Sequence, residues 1–139
     1  MILVDTNLIS EPMKTVPDPA VLNWFARSSK VDLFFSAIGV AELMRGIAIL
    51  PDGNRKTQMA SDLEQDLERV FQGRILPFDE DAARAYGVIH GKMRAAGRAI
   101  GILDSQIAAI ALVRNLTVAT RDTQPFRDAG VPVVNPWAA

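Results

Sequence analysis

The 139-residue sequence contains no cysteine and a single histidine, His90. Without cysteine the chain can form neither a disulfide nor a zinc site built on thiolates, so oxygen atoms remain as the expected ligands for a metal ion. The residues around His90, Val-Ile-His-Gly-Lys, do not resemble the nucleophile elbow of a serine hydrolase. We therefore expect His90 on a helix surface rather than in a zinc site or a catalytic triad.

Long apolar runs and a strong net charge are also missing. No stretch approaches the roughly 20 apolar residues of a membrane span, and the chain starts with a strand pattern instead of a signal peptide. These absences predict a soluble, cytoplasmic protein that does not contact a membrane. The formal net charge of −1 gives no general attraction to nucleic acid, so a polyanion would need local basic residues or bound cations.

The pattern of the chain indicates one domain over residues 1–139, because we find no repeat, linker or low-complexity tract. Strand and helix patterns alternate, which predicts a three-layer α/β/α sandwich with a mainly parallel central sheet. Asp18, Ser36, Asp79 and Asp104 are expected to cap helices. The predicted helices span residues 19–27, 37–50, 55–72, 80–96 and 105–114, and the strands after the first span residues 31–35, 75–76, 117–120 and 131–134. A short helical turn after the first strand is expected to end at Pro12. Met44 is expected in the buried stripe of helix 37–50, and helix 105–114, apolar on nearly every side, is expected to be central.

The first predicted strand is a short apolar run, Ile2 to Val4, that leads directly into Asp5. Such a run is typical of a strand buried on both faces, and ligands of open α/β sheets bind beyond the carboxyl ends of the strands. Thr6 and Asn7 place a hydroxyl and an amide at the same point. Three successive oxygen ligands suit a hard cation.

Three further acids occupy comparable places, and the chain topology can bring all of them to Asp5: Glu42, Asp104 and Asp122. Taken singly, Asp5, Asp104 and Asp122 could each be an ordinary N-cap, whereas a mid-helix glutamate gains nothing from capping. Taken together, clustered carboxylates repel one another unless a cation compensates. An oxygen-only site prefers Mg²⁺ or Mn²⁺, and such sites serve phosphodiester hydrolysis.

The sequence resembles the PIN-domain ribonucleases, specifically the VapC-type toxins of bacterial toxin-antitoxin systems, along its whole length. The opening Asp5-Thr-Asn-Leu-Ile-Ser-Glu-Pro12 and the closing Asn135-Pro-Trp137 look most like the FitB-like branch. The motifs behind the resemblance are Val4-Asp5-Thr6-Asn7, Ala41-Glu42-Leu43, Asp104 before an apolar helix, and Thr120-Arg121-Asp122.

The resemblance implies an endoribonuclease that depends on Mg²⁺ or Mn²⁺ and whose acidic pocket consists of Asp5, Glu42, Asp104 and Asp122. It assigns direct metal ligation to Asp5 and Asp104, and ligation through water or a second ion to Glu42 and Asp122. The residues expected to orient these carboxylates or the attacking water are Thr6, Asn7 and Thr120.

The resemblance also implies partners: RNA as substrate, a second copy of the chain in a homodimer, and a small DNA-binding antitoxin. Apolar residues of segments 43–50 and 59–71 could form a groove for an antitoxin helix or could simply pack in the core. Arg121 is either an RNA-phosphate contact or a solvated residue. The same two interpretations are open for the basic cluster Lys92, Arg94 and Arg98.

Other protein classes fit less well. A haloacid dehalogenase phosphatase needs a second aspartate where this chain has Asn7, and a receiver-like magnesium-binding signalling module needs a lysine beyond Lys92, the last lysine here. No Gly-rich turn follows the first strand, which argues against a dinucleotide-binding module. A catalytically inactive PIN scaffold remains the main alternative within the resemblance.

Overall fold

A computed structural model describes residues 1–138, in which five strands alternate with seven α-helices. The strands are β1 (Ile2–Val4), β2 (Leu33–Ser36), β3 (Ile75–Leu76), β4 (Thr117–Ala119) and β5 (Val133–Val134). The helices are α1 (Thr6–Ser10), α2 (Pro19–Arg27), α3 (Ala37–Ala48), α4 (Asn54–Arg69), α5 (Glu80–Ala95), α6 (Ile102–Arg114) and α7 (Thr123–Asp128). Short 3₁₀ turns cover Glu11–Met13, Lys30–Asp32 and Pro136–Ala138.

The strands form one sheet in the order β3-β2-β1-β4-β5, and every neighbouring pair is parallel. Successive side chains of β1 point to opposite faces: Leu3 packs in one hydrophobic cluster and Val4 in the other. Helices cover both faces, which confirms the predicted α/β/α sandwich. Because all the strands are parallel, all their carboxyl ends lie at one edge, with β1 in the middle.

Helix α6 is the central helix, as its apolar sequence predicted. Ile107, Ala108, Ala109, Ile110 and Ala111 are all buried, and the small alanines let α6 approach its neighbours closely. The helix ends at Asn115, whose φ of 59° places it in the left-handed region that favours asparagine among residues other than glycine.

The predicted start of this helix was wrong. Helix α6 begins at Ile102 with Gly101 as its N-cap, so Asp104 is the third helical residue and caps nothing. The reason is that Ser105 closes the turn further upstream: its backbone N–H donates to the Gly101 carbonyl at 2.9 Å, and its hydroxyl donates to the same oxygen at 2.7 Å. The other three predicted caps are confirmed, since Asp18, Ser36 and Asp79 each accept a bond from a first-turn N–H.

Several predicted boundaries and one buried position also need correction. Residues 30–32 form a 3₁₀ turn, so β2 starts at Leu33 instead of residue 31. Strand β5 covers only two residues, because Pro132 has no N–H to donate and the N–H of Val131 bonds back to Phe126. Pro12 does not end the first helix but sits inside the 3₁₀ turn that follows α1. Met44, predicted in the buried stripe of α3, is 47% exposed.

Candidate active site

The four acids singled out in the sequence lie at the carboxyl edge of the sheet. Asp5 follows β1, Glu42 is in the second turn of α3 beyond β2, and Asp122 follows Thr120 at the end of β4. Asp104 is in the first turn of α6. Hydrogen bonds through Thr6 and Thr120, and the effect of each acid on the pKa values of the others, connect the four acids into one acidic cluster.

Asp5 is the most buried of these acids, with 7% of the residue exposed. Its Oδ2 accepts a hydrogen bond from the Thr120 hydroxyl at 2.8 Å, and its Oδ1 accepts one from the Thr6 N–H at 2.8 Å. Burial raises the pKa of Asp5, these two hydrogen bonds oppose the rise, and the charge of Asp122 adds to it. Asp5 therefore caps α1 and belongs to the acidic cluster at the same time.

Glu42 reaches the cluster through Thr6. The Thr6 hydroxyl donates to Glu42 Oε1 at 2.9 Å, so one threonine touches two of the acids: Asp5 through its N–H and Glu42 through its side chain. Burial raises the pKa of Glu42, the bond from Thr6 opposes this, and the charge of Asp5 raises it further. Thr6 thus fixes the spacing between the acids that follow β1 and β2.

Asp104 is the acid most affected by its neighbours. Burial, followed by the charges of Asp5, Glu42 and Asp122, raises its pKa to about 6 from an ordinary value of 3.8. The four acids at this edge of the sheet therefore influence one another electrostatically. Their assignment to one metal-binding pocket stays a prediction.

Asp122 lies at the open side of the cluster and is exposed. It occupies the N-cap position of α7, yet its side chain makes no capping bond. Its N–H instead donates to Thr120 Oγ1 at 3.2 Å, and Thr120 in turn donates to Asp5. Thr120, 1% exposed, thus connects the two acids through its hydroxyl, and its orienting role stays a prediction.

The carboxylates of the acidic cluster do not surround a common point. Within residues 1–138, no three acidic or histidine side chains stand close enough together to ligate one metal ion simultaneously. Asp5 is directed toward Thr120 and Glu42 toward Thr6, which keeps mutually repelling charges apart. Asn7 is exposed and makes no side-chain hydrogen bond with the acids among the described residues, so its assigned role stays a prediction.

The remaining predicted features lie outside the acidic cluster. His90 packs half-buried against the Tyr86 ring on α5, as expected for a helix-surface residue. Within the basic cluster, Arg98 pairs with Asp128 at 2.7 Å. In the segments considered for a groove, the buried residues Ile47, Leu63 and Phe71 pack in one hydrophobic cluster of the core, which favours the core interpretation of those residues.

Sequence reasoning assigned no role to two residues near the site. Glu11, 4% exposed, is a second buried carboxylate next to α1. Trp137 lies beneath the Arg121 guanidinium, whose carbon is 5.6 Å from the indole ring centroid. Both residues lie in the opening and closing motifs of the sequence, and their contacts with Lys14, Asp18 and Arg121 are seen only in the folded chain.

An all-parallel five-stranded sheet with four acids at its carboxyl edge defines the class of protein. The PIN domain family profile matches residues 2–132, and the chain belongs to this family. The resemblance noted in the sequence is thereby confirmed.

Named relatives cover the whole chain. The plasmid stability protein StbB of Pseudomonas syringae pv. tomato is 48% identical over 139 residues, all of both chains. The VapC ribonuclease Y4jK of Sinorhizobium fredii is 45% identical over 99% of this chain and 98% of its own. Toxin FitB of Neisseria gonorrhoeae is 46% identical over 99% of both. The crystal structure of FitAcB from the same organism superposes with a TM-score of 0.94 at 45% identity, covering 100% of both chains.

Proposed function

We propose that this protein is a divalent-metal-dependent endoribonuclease that hydrolyses RNA phosphodiester bonds and acts as the toxin of a toxin-antitoxin pair. The observation that carries the proposal is the placement of Asp5, Glu42, Asp104 and Asp122 at the carboxyl edge of one parallel sheet, where burial and the neighbouring acids raise the pKa of Asp104. Such crowding of like charges is costly unless a cation is bound. The names of two relatives, a VapC ribonuclease and toxin FitB, support the ribonuclease and toxin assignments.

The donor chemistry of the site fits Mg²⁺ or Mn²⁺. All four candidate ligands are carboxylates, and the chain has no cysteine, so the site offers hard oxygen donors only. The side-chain orientations would have to change, because no three acids presently enclose a common point. Asp104 and Asp122 are the groups free to turn, since Asp5 and Glu42 are held by the threonines.

The acids and threonines of the site would have separate roles in RNA hydrolysis. A bound Mg²⁺ would lower the pKa of its water and neutralise charge on the scissile phosphate. Asp5 and Asp104 would ligate directly, with Glu42 and Asp122 acting through water or a second ion. Thr120 holds Asp5 and Thr6 holds Glu42 in position, and these hydrogen bonds oppose the rise that burial causes in the pKa of both carboxylates.

A purified-protein assay tests the proposal. RNA incubated with protein and Mg²⁺ should be cleaved, cleavage should stop with EDTA, and the Asp104→Asn variant should be inactive. Glu68→Gln is the matched control, because Glu68 is an exposed acid of α4 outside the cluster. Equal cleavage by the wild type and Asp104→Asn would mean a contaminant or a different site. Binding of RNA without cleavage would favour the inactive PIN scaffold.

We also propose that an antitoxin protein binds this chain. We expect an antitoxin to inhibit this chain by covering the acidic edge, and an arginine of that partner could offset the carboxylate charges. Co-expression with a candidate antitoxin should yield a complex without ribonuclease activity. A complex that retains full activity would contradict coverage of the acidic edge.

A further inference from the structure

Arg121 lies between two residues of the acidic cluster, Thr120 and Asp122, yet its own charge is directed elsewhere. The guanidinium carbon lies 5.6 Å from the centroid of the Trp137 ring, within the range of a cation–π interaction. Within residues 1–138, no hydrogen bond or ion pair involves Arg121, and the residue is exposed. The five N–H donors of this arginine therefore have no described protein acceptor.

Trp137 provides a fixed platform for this arginine. Its ring packs against the hydrophobic cluster that contains Val4, Leu8 and Trp24, and its backbone N–H donates to Asn135 Oδ1 at 3.0 Å. The indole Nε1 is buried, so the ring cannot turn freely into solvent. A cation held against a fixed ring loses less side-chain freedom on binding a ligand than an unrestrained one.

The acids at the sheet edge do not neutralise Arg121. The charges that shift the pKa values of Asp5, Glu42 and Asp104 come from other acids, and Arg121 is not among the causes. Its charge does lower the pKa of Glu11, but Glu11 already has an ion pair with Lys14 at 2.6 Å and a bond from the Asp18 N–H at 3.1 Å. Within residues 1–138 Arg121 therefore has no direct salt-bridge partner, and its neighbours Thr120 and Asp122 place its backbone beside the acidic cluster.

We infer that Arg121, held by Trp137, binds a backbone phosphate of the RNA substrate next to the scissile one. This inference rests on the proposed ribonuclease function and assigns one contact within it. A guanidinium matches a phosphate with two parallel hydrogen bonds. A chain with a net charge of −1 needs local cations of this kind to hold RNA near its own carboxylates. Trp137 acts as a positioning residue that does not itself contact RNA.

The test measures RNA binding apart from cleavage. Variants are made in the full-length Asp104→Asn protein, and affinity for a short fluorescein-labelled single-stranded RNA is followed by anisotropy across a KCl series at fixed low Mg²⁺. Arg121→Gln should weaken binding about tenfold and reduce the slope of log K against log salt by up to roughly 0.7, the value for one lost phosphate contact. Several RNA sequences should lose affinity equally.

Matched variants separate a phosphate contact from a general charge or stability effect. Arg27→Gln removes the same charge from the end of α2 just before β2, at the opposite edge of the sheet, and should leave the slope unchanged. Arg121→Lys should keep the slope and lose part of the affinity. Trp137→Leu should also keep the slope while weakening binding a few-fold, and melting temperatures show which variants remain folded.

Three outcomes would overturn the inference. Equal slopes for Arg121→Gln and Arg27→Gln would show that Arg121 contacts no phosphate, and a loss confined to one RNA sequence would indicate a base contact instead. In both cases wild-type cleavage in Mg²⁺ would leave the ribonuclease proposal intact. A wild-type protein that neither cleaves nor binds RNA would remove the proposed function, and the inference with it.

Discussion

Two buried carboxylates stand at opposite ends of α1, and the fold treats them in opposite ways. Asp5 is 7% exposed and Glu11 is 4% exposed. The hydrogen bond from Lys14 has the largest effect on the pKa of Glu11 and lowers it, burial opposes this, and the bond from the Asp18 N–H lowers the pKa further. Burial raises the pKa of Asp5, and its charged neighbour is another acid, Asp122.

The difference separates structural acids from functional ones. A compensated carboxylate such as Glu11 stabilises the fold by tying the 3₁₀ turn to the start of α2. A cluster of acids without a compensating cation lowers the stability of the fold. Such clusters are typical of sites that bind a cation or perform chemistry. Changes at Glu11 should therefore affect stability, and changes around Asp5 should affect activity.

Asp5→Asn is expected to give the largest effect. Removing one carboxylate from the proposed metal site should lower the rate of RNA cleavage by about a thousandfold, equivalent to several kcal/mol of lost transition-state stabilisation. Folding should be preserved, because an asparagine oxygen can still accept from the Thr6 N–H. Single-turnover cleavage is the measurement. Glu11→Gln should cleave at the wild-type rate, and an equal loss in both variants would remove the distinction between the two acids.

Thr120→Val should have an intermediate effect. The substitution keeps the size of the side chain but removes the hydroxyl that donates to Asp5 Oδ2, so the pKa of Asp5 should rise further. Loss of such a supporting bond typically costs about 10 to 100-fold in metal affinity or activity. The Mg²⁺ concentration at half-maximal cleavage should increase accordingly. Thr117→Val, at the start of the same strand, is the control, and an identical Mg²⁺ requirement in both variants would contradict the role of Thr120.

These contrasts show which parts of the site were accessible from sequence. Hydrophobic periodicity and parallel topology predicted the sheet edge and the convergence of the four acids. The start of α6 was missed because Ile100 to Leu103 reads as an apolar run, whereas Ser105 closes the turn on Gly101. The contact between Arg121 and Trp137 was inaccessible for another reason, because only tertiary packing brings these separated segments together. Lys14 is near Glu11 in sequence, but the burial of Glu11 that makes this pair matter is also a result of tertiary packing.

Glu11→Gln tests the buried carboxylate whose charge is compensated by Lys14 and the Asp18 N–H. The variant loses the ion pair with Lys14 and weakens the bond from the Asp18 N–H, so the free energy of unfolding should fall by about 2 kcal/mol at pH 7. Because the folded pKa of Glu11 lies below its ordinary value of 4.5, the difference from the wild type should disappear as the pH falls through that folded pKa. Urea unfolding at a series of pH values measures this. A constant difference down to the lowest pH would show that packing, and not charge, is responsible.

Asp104→Asn tests the acidic cluster, in which no cation compensates the charges. The substitution should give the smallest change in the free energy of unfolding, and the change should be an increase. The folded pKa of about 6 exceeds the ordinary 3.8, so the wild type loses stability as the pH rises through this window. The variant should therefore be more stable at pH 7 in metal-free buffer and equal to the wild type near pH 4. We expect about 1 kcal/mol, less than the full shift implies, because the first turn of a helix favours an acid and solvent reaches part of the group.

Added Mg²⁺ distinguishes the causes of that difference. An ion that binds only the folded wild type stabilises it by mass action, so the order of stability at pH 7 should reverse once Mg²⁺ is present. Glu11→Gln should gain as much from Mg²⁺ as the wild type does, because its acidic cluster is intact. A lower stability of Asp104→Asn without metal would instead mean that its favourable position in α6 outweighs the repulsion from Asp5, Glu42 and Asp122. In that case the crowding of the acids would no longer be an argument for a bound cation.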